Sequence, residues 1–387
     1  MRSLHGLVCA VILLAQHNQA KADSIIDYSF GGGRTSNIFQ DPTTLSAAFG
    51  EAKVALRGTL ALEDSHLAYG LAVSVRRVAG YRFADQRTAG LELGYTRELG
   101  DAMTVTLKGG IEHRRSGDLF LSLPGLLIGY QKADLAAAAS AGITVAHHGG
   151  KSHLTASLSS LDRGKAHFTL KGLSATQLEA GNRLYDLTAG HIRTLFGGEV
   201  GATLQYRTNY ISRSEQRRFG RFPAETLRGS LAYGRAFGDL TLLAEVGAVG
   251  VASPQLGKSV QRLRPFLKGE ASWQLPQDIV LKAKAGRDIQ LADIDDALGE
   301  DVRAVGLSLE KALTEKLKLA LAHEQAHSDW LYYDYRTRTK TTTATLSYTL
   351  ARGATLALEY SHLVRRESDK AADFTVDGLA ARITGSF

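Results

Sequence analysis

The stretch from Thr339 to Phe387 reads TKTTTATLSYTLARGATLALEYSHLVRRESDKAADFTVDGLAARITGSF. Between Thr341 and Leu350 it alternates: Ala344, Leu346, Tyr348 and Leu350 stand on one side, Thr343, Thr345, Ser347 and Thr349 on the other. Successive side chains of an extended chain point to opposite faces, so this is a strand with one apolar and one polar face. A tight turn at Ala351-Arg352-Gly353 reverses it into a second such run, where Leu356, Leu358, Tyr360 and His362 oppose Thr355, Ala357, Glu359 and Ser361. After a polar loop, Leu379, Ala381, Ile383 and the terminal Phe387 face one way.

The same alternation recurs upstream and predicts about eighteen antiparallel strands, with sixteen the alternative count. The first is expected at residues 24–31 and the sixth at 130–147. Connections come in two alternating kinds. Short turns fall at Leu99-Gly100-Asp101, His148-Gly149-Gly150, Phe196-Gly197-Gly198, Phe237-Gly238-Asp239 and Leu275-Pro276-Gln277; longer polar loops fall at 115–129, 162–183, 213–223, 253–260, 289–300, 328–337 and 367–375. That is the plan of a transmembrane up-and-down β-barrel, all-β, with short periplasmic turns and longer outer loops. A soluble β-sandwich is the competing fold, but its strands run to about five or six residues, whereas a tilted strand needs about ten to cross a bilayer. Tyr69, Tyr95, Tyr206, Tyr210, Tyr233, Trp273, Tyr348 and Tyr360 sit at strand ends on the apolar face, where a membrane interface wants them. Two places resist: residues 162–183 suggest an excursion or a segment folded inward, and the phase slips near Gly190-His191-Ile192, which predicts a β-bulge.

Composition agrees. The chain has 40 Gly and 6 Pro in 387 residues, which favours ladder-paired strands joined by tight turns over disorder. A charged start at Arg2, an apolar core from Leu4 to Ala15 and Ala20-Lys21-Ala22 before Asp23 predict a secretory signal peptide over residues 1–22, leaving 23–387 as one barrel domain. The formal charge of +7 becomes +5 when Arg2 and Lys21 leave. The single cysteine, Cys9, lies in the apolar core, so the mature chain carries no thiol, disulfide or thiolate metal site.

If the apolar residues face lipid, the alternate positions face the lumen. Arg57, Arg76, Lys108, Arg207, Arg228, Arg262, Arg264, Lys268, Lys282, Lys284, Arg303, Lys316, Lys318 and Arg382 are assigned there, against fewer acids: Glu92, Glu112, Glu245, Glu270, Glu324 and Glu359. A charge on the lipid side near the midplane costs roughly 2–4 kcal/mol, which drives this assignment. Such residues can pair across strands and only stiffen the wall; a surplus of cations instead favours anions in a water-filled pore.

Three motifs point elsewhere and are outweighed. His323-Glu324-Gln325-Ala326-His327 matches the HExxH zinc pattern, which needs a helix; on a strand the histidines stand about 13 Å apart. Ser361-His362 and the His147-His148 pair offer hydrolase residue types, but adjacent strand residues point to opposite faces. Gly31-Gly32-Gly33, expected to open the first loop, precedes no helix, so a phosphate cradle is not supported. Arg336, Arg338 and Lys340 with Tyr332, Tyr333 and Tyr335 form a basic aromatic cluster suited to polysaccharide or lipid head groups, or to a solvated loop entry.

An aromatic residue closing an amphipathic last strand looks like the assembly signal of bacterial outer-membrane barrels, which assigns that role to Phe387. Arg365-Arg366, the Ser-Asp loop and the short last strand resemble β-barrel porins associated with bacterial exopolysaccharide export, and the plan resembles eighteen-stranded exporters of acidic polysaccharide with basic pores. This resemblance implies an outer-membrane channel for polar or anionic solute or polysaccharide. Expected partners are outer-membrane lipid and lipopolysaccharide, the barrel-assembly machinery and the solute, not nucleic acid. No catalytic residue, metal or cofactor is expected. The alternatives are a barrel hydrolase, with Ser and His on one face of neighbouring strands near the outer rim, and a plugged barrel for surface display or assembly.

Overall fold

The computed structural model describes residues 22–115, 118–120, 127–168, 171–257, 262–291, 298–350 and 353–387. Eighteen long strands form one antiparallel sheet. They are β1 Ala22–Thr35, β2 Ala47–Leu62, β3 Ser65–Val78, β4 Gln86–Leu99, β5 Met103–Arg115, β6 Asp134–His147, β7 Gly150–Asp162, β8 Asn182–Leu195 and β9 Gly198–Tyr210. They continue with β10 Glu225–Phe237, β11 Leu240–Ala252, β12 Arg262–Leu275, β13 Ile279–Leu291, β14 Gly299–Ala312, β15 Leu317–Trp330, β16 Arg336–Thr349, β17 Thr355–Glu367 and β18 Phe374–Ser386. Each pairs with its chain neighbours, and β1 pairs with β18, so the sheet closes on itself. Closure removes the two exposed edges that an open sheet would present to other chains.

The large exposed apolar side chains fall mostly on one parity of the strands, for example Val54, Leu93, Leu107, Leu187, Leu231, Val246, Val305, Leu346, Leu358 and Leu379. A face this apolar and this open is the outer face of the wall, and the alternate residues line the interior. Short turns and both strand-bearing ends of the chain gather at one end, the longer loops at the other, as the alternation predicts. Residues 1–21, with Cys9 and most of the expected signal peptide, lie outside the described residues, as do Ala351 and Arg352 of the last tight turn.

Three expectations change. Gly31-Gly32-Gly33 does not open a loop: β1 runs through it to Thr35, paired on both sides. A Cβ at Gly33 would lie 2.3 Å from the Leu379 carbonyl oxygen, so the strands meet there because there is no side chain. The predicted bulge at Gly190-His191-Ile192 is absent, since β8 keeps an unbroken register with β7 and β9. The apparent slip arises because the outer face turns polar at His191 and Arg193 near the turn, while inward Ile192 is apolar. The expected strand 130–147 is two pieces: β6 begins at Asp134, and residues 127–131 form a small separate sheet with 118–120 and 166–168. The excursion at 162–183 is thus the third strand of that sheet.

Phe387 sits in the seam. Its carbonyl accepts from the Ile26 amide at 2.8 Å, its amide donates to Ile26 at 3.0 Å, and its ring lies 5.8 Å from that of Tyr28. Tyr28 also covers Gly385, where a Cβ would lie 2.4 Å from the tyrosine hydroxyl oxygen. The ring of β1 occupies the space that a bulky residue at position 385 would need.

Candidate functional site: the charged interior

Register decides which face each cation occupies. Arg57, Arg76, Lys108, Arg207, Arg228, Arg262, Arg264, Lys268, Lys282, Lys284, Lys318 and Arg382 share the inner parity. Two others do not belong to the inner wall. Arg303 lies on the outer parity with Val305 and Leu307, opposite His327; the apolar outer band stops short of the strand end, so a charge is tolerated there. Lys316 lies in the short turn between β14 and β15 rather than on a strand.

Most of the inward cations have carboxylate partners. Arg57 holds Asp27 at 2.6 Å, Arg207 holds Asp186 at 2.7 Å, Arg228 holds Asp288 at 3.2 Å, Lys268 holds Glu270 at 3.1 Å and Lys282 holds Glu310 at 2.7 Å. Lys284 pairs with Glu324, and Arg382 reaches Glu51 at 2.5 Å. Asp27, Glu51, Asp186, Asp288 and Glu310 were not among the expected interior acids, and they take up much of the expected cation surplus. A sequence reading weighted towards the clearest alternation misses acids near strand ends.

A local imbalance remains where β2, β3 and β5 meet the loop after β7. A recess of about 730 Å³ there is lined by Glu51, Lys53, Arg76, Arg114, Asp134, Arg163 and Arg382, among others. Asp134 is taken by Arg163 at 3.1 Å and Glu51 by Arg382. Lys53 and Arg76 have no ion-pair partner among the described residues, and Arg114 comes no closer than 4.0 Å to Glu112. The Arg76 guanidinium instead lies 4.0 Å over the Phe49 ring. Arg76 and Arg382 were expected at such a site; Lys53 and Arg114 were missed, though Lys53 shares the parity of Arg57 and could have been read from it.

The mouth above this recess is narrowed by the end of the β13–β14 hairpin. The β12–β13 ladder stops at Leu267 opposite Arg287, while β13 and β14 stay paired up to Leu291 and Gly299. Released from β12, the hairpin end packs Ile289, Leu298 and Leu291 against inward-facing Val249, Val251 and Phe266, with Ala224, Phe222 and Leu331 completing the cluster. Leu291 then lines a second recess with Ser159, Asn182 and Leu184 of the β7–β8 wall. Asp301, 2% exposed, is the anchor: it accepts from Arg287 at 2.9 and 2.6 Å, and Arg264 lies 3.7 Å away. Removing one partner of a buried ion pair costs about 3–5 kcal/mol, because the other charge stays buried unpaired. Asp301→Asn is therefore expected to loosen the hairpin end, read as faster protease cleavage near Leu291 and Leu298 in the folded barrel; cleavage unchanged from wild type would show that this pair does not hold the end.

Loops over the mouth hold one another. A short helix, α1 Arg213–Phe219, presents Glu215, which accepts from the Gly181 amide at 3.0 Å, Gln177 at 3.2 Å and Ser212 at 2.6 Å. Burial raises the Glu215 carboxyl pKa, but these donors together outweigh it and leave it below the usual range. A lowered carboxylate pKa contributes stability above the ordinary value and loses it as pH falls through the folded one. The latch is thus expected to hold in mildly acidic medium and release only in strong acid, which protease cleavage within 171–181 as a function of pH would follow. Cleavage that rises already at mild acidity would refute it. The Tyr335 hydroxyl is pushed up to about 12, first by burial and then by its hydrogen bond to Glu367, so it stays protonated.

The outweighed motifs can be placed. His323 and His327 both lie on the outer face of β15, flanking Gln325, while Glu324 faces inward to Lys284; the strand disperses the HExxH residues. Ser361 and His362 face opposite sides, and His362 instead meets Asp377 at 2.8 Å. A serine does stand between two histidines elsewhere: Ser152 lies 3.0 Å from His147 Nε2 and 3.0 Å from His191 Nδ1, on the outer face. It is at the short-turn end, not the outer rim. No carboxylate touches either imidazole among the described residues, so the group that would orient a general base is missing.

No protein-family model and no curated protein matches the chain. Solved structures do. OccK9 (OpdG) of Pseudomonas aeruginosa superposes with a TM-score of 0.54 at 13% identity, covering 95% of this chain and 98% of that one. OccK2 (OpdF) of Pseudomonas aeruginosa in complex with glucuronate gives 0.52 at 13%, covering 95% and 98%. A BenF-like porin from Pseudomonas fluorescens Pf-5 gives 0.52 at 11%, covering 95% and 99%. At such identities the likeness is one of fold: this chain is built over nearly its whole length on the same closed barrel as these proteins.

Proposed function

We propose that the chain is a channel of a bacterial outer membrane, secreted with cleavage of residues 1–22 and inserted with its short turns in the periplasm, and that it passes small polar solutes with a preference for anions. The observation that carries this reading is the recess in which Lys53 and Arg76 face the interior with no ion-pair partner among the described residues, Glu51 opposite Arg76 being taken by Arg382, and Arg114 meets Glu112 only at 4.0 Å. Cationic side chains lining a confined aqueous path raise the local anion concentration and lower the barrier to anion passage. The apolar outer face supports a membrane setting, and the fold is shared with a porin and with OccK2, whose structure holds glucuronate. A carboxylate-bearing sugar of that size suits the recess better than a polymer, since the hairpin end and the loops after β7 and β9 narrow the mouth. Export of an exopolysaccharide remains the extension of this reading to a larger anion and requires those loops to part.

The test is to refold the mature protein into a planar bilayer and measure conductance and reversal potential across a salt gradient. A steady conductance with a reversal potential of the anion-selective sign supports the channel. A folded barrel that stays silent ends the open-pore reading and favours a plugged barrel; a cation-selective sign ends the anion preference alone.

A further inference from the structure

Five consecutive strands carry a row of basic side chains on the outside of the barrel. Arg287 stands opposite Arg303, Arg303 opposite His327, His327 opposite Arg338 and Arg338 opposite Arg366. Neighbouring strands lie about 4.8 Å apart, so the row runs about 19 Å around the wall. It shares the parity of Leu309, Leu321, Leu346 and Leu358 below it, and it lies near the long-loop ends of β13–β17, with Lys340 one outward position nearer the apolar band.

Neither stiffening nor conduction accounts for this row. It faces away from the interior, so it lines no pore. A wall ladder made for strength would alternate sign, whereas Arg287 beside Arg303 and Arg338 beside Arg366 are like charges directly opposite, an arrangement that is destabilising by itself. The acids nearby take up part of it and leave its centre unpaired. Asp301 is buried against Arg287. Asp329 is shared between Arg303 at 2.8 Å, His327 at 3.2 Å and Arg336 at 3.7 Å, and Asp373 serves Arg366 at 3.2 Å. Among the described residues Arg338 donates only to the Gln325 amide oxygen, at 3.1 Å, and Lys340 has no carboxylate partner; both are exposed.

We propose that the outer face of β13–β17 binds the phosphate groups of a phosphorylated glycolipid of the outer leaflet, with Arg338 and Lys340 as the central contacts. The inference rests on the proposed orientation, long loops outward. A row this long exceeds what one phosphodiester engages and fits two phosphates on a disaccharide core, while the apolar wall below the row offers exposed Val305, Leu307, Leu346 and Leu358 to acyl chains. The bound anion relieves the repulsion along the row, so it stabilises the barrel as well as decorating it.

The full barrel, reconstituted in nanodiscs and mixed with diphosphoryl lipid A, monophosphoryl lipid A or phosphatidylglycerol, is assayed for retained lipid by native mass spectrometry. Wild type is expected to retain diphosphoryl lipid A most strongly, and the R338Q/K340Q double variant to lose at least about tenfold of that retention. Heat-modifiable migration on gels establishes that the variant is folded, and its unchanged conductance keeps this outcome separate from the channel reading. Equal retention by the double variant overturns the proposal. So does equal retention of phosphatidylglycerol, which would mark a general phospholipid surface, and so does a lipid-independent dimer lost on substitution, which would mark a contact between copies.

Discussion

Replacing Lys53, Arg76 and Arg114 together with glutamate is expected to reverse the sign of the reversal potential, turning an anion-preferring path into a cation-preferring one. Six units of charge change within one recess, and at physiological ionic strength the Debye length of about 8 Å is comparable with the width of such a site, so mobile ions do not hide the change. The neighbouring pairs, Arg382 with Glu51 and Arg163 with Asp134, cancel and remain in place. The single change Arg76→Gln should shift the potential the same way by roughly a sixth, since it changes one of those six units and the charges act additively on passing ions to first order. The control is Lys284→Gln: Lys284 is paired with Glu324 on the far wall. Its removal frees a carboxylate outside the recess and should move selectivity less than Arg76→Gln does. Should the triple variant keep the wild-type sign, the recess is not on the ion path, and selectivity must be sought near the hairpin end.

The barrel was legible because its signal is repeated. Each strand states its inner and outer face again, so errors at one place, such as the bulge expected near His191, do not spread, and the count of eighteen survives them. The interior charge was less legible because parity read from one strand is weakest at its ends. Arg303 was placed inward although Val305 and Leu307 of its own strand put it outward, and Asp27, Asp186 and Asp288 were not placed at all. Pairings such as Arg228 with Asp288, on strands three apart in the ring, depend on the curvature of the closed wall, which no local pattern carries. The departure of β13 from β12 was invisible for a related reason. Val249, Val251 and Phe266 are apolar on an otherwise polar inner face, and only the hairpin end packed on them explains why.

A valine at position 33 is expected to keep the barrel from closing. Gly33 lies opposite Ala380 in the β1–β18 seam and opposite Phe49 on the other side. Its added Cβ would meet the Leu379 carbonyl oxygen at 2.3 Å and the Ala380 Cα at 2.9 Å, both backbone atoms that cannot turn aside. Accommodating it means moving β1 away from β18, which strands the ladder bonds from Gly31 to Thr35. Overpacking alone costs about 1–3 kcal/mol, already a roughly 5- to 150-fold loss in the ratio of closed to open barrel, and unpaired backbone groups facing an apolar surrounding add to it. Refolding yield judged by heat-modifiable migration should therefore collapse for Gly33→Val. It should fall less for Gly31→Ala, where the nearest backbone oxygen would be 2.8 Å away. Gly229→Ala, mid-strand in β10 with no atom within 4 Å of the added carbon, should fold normally. If all three fold alike, the seam tolerates side chains, and closure must depend instead on the terminal pairing of Phe387 with Ile26, which deletion of Phe387 would then expose.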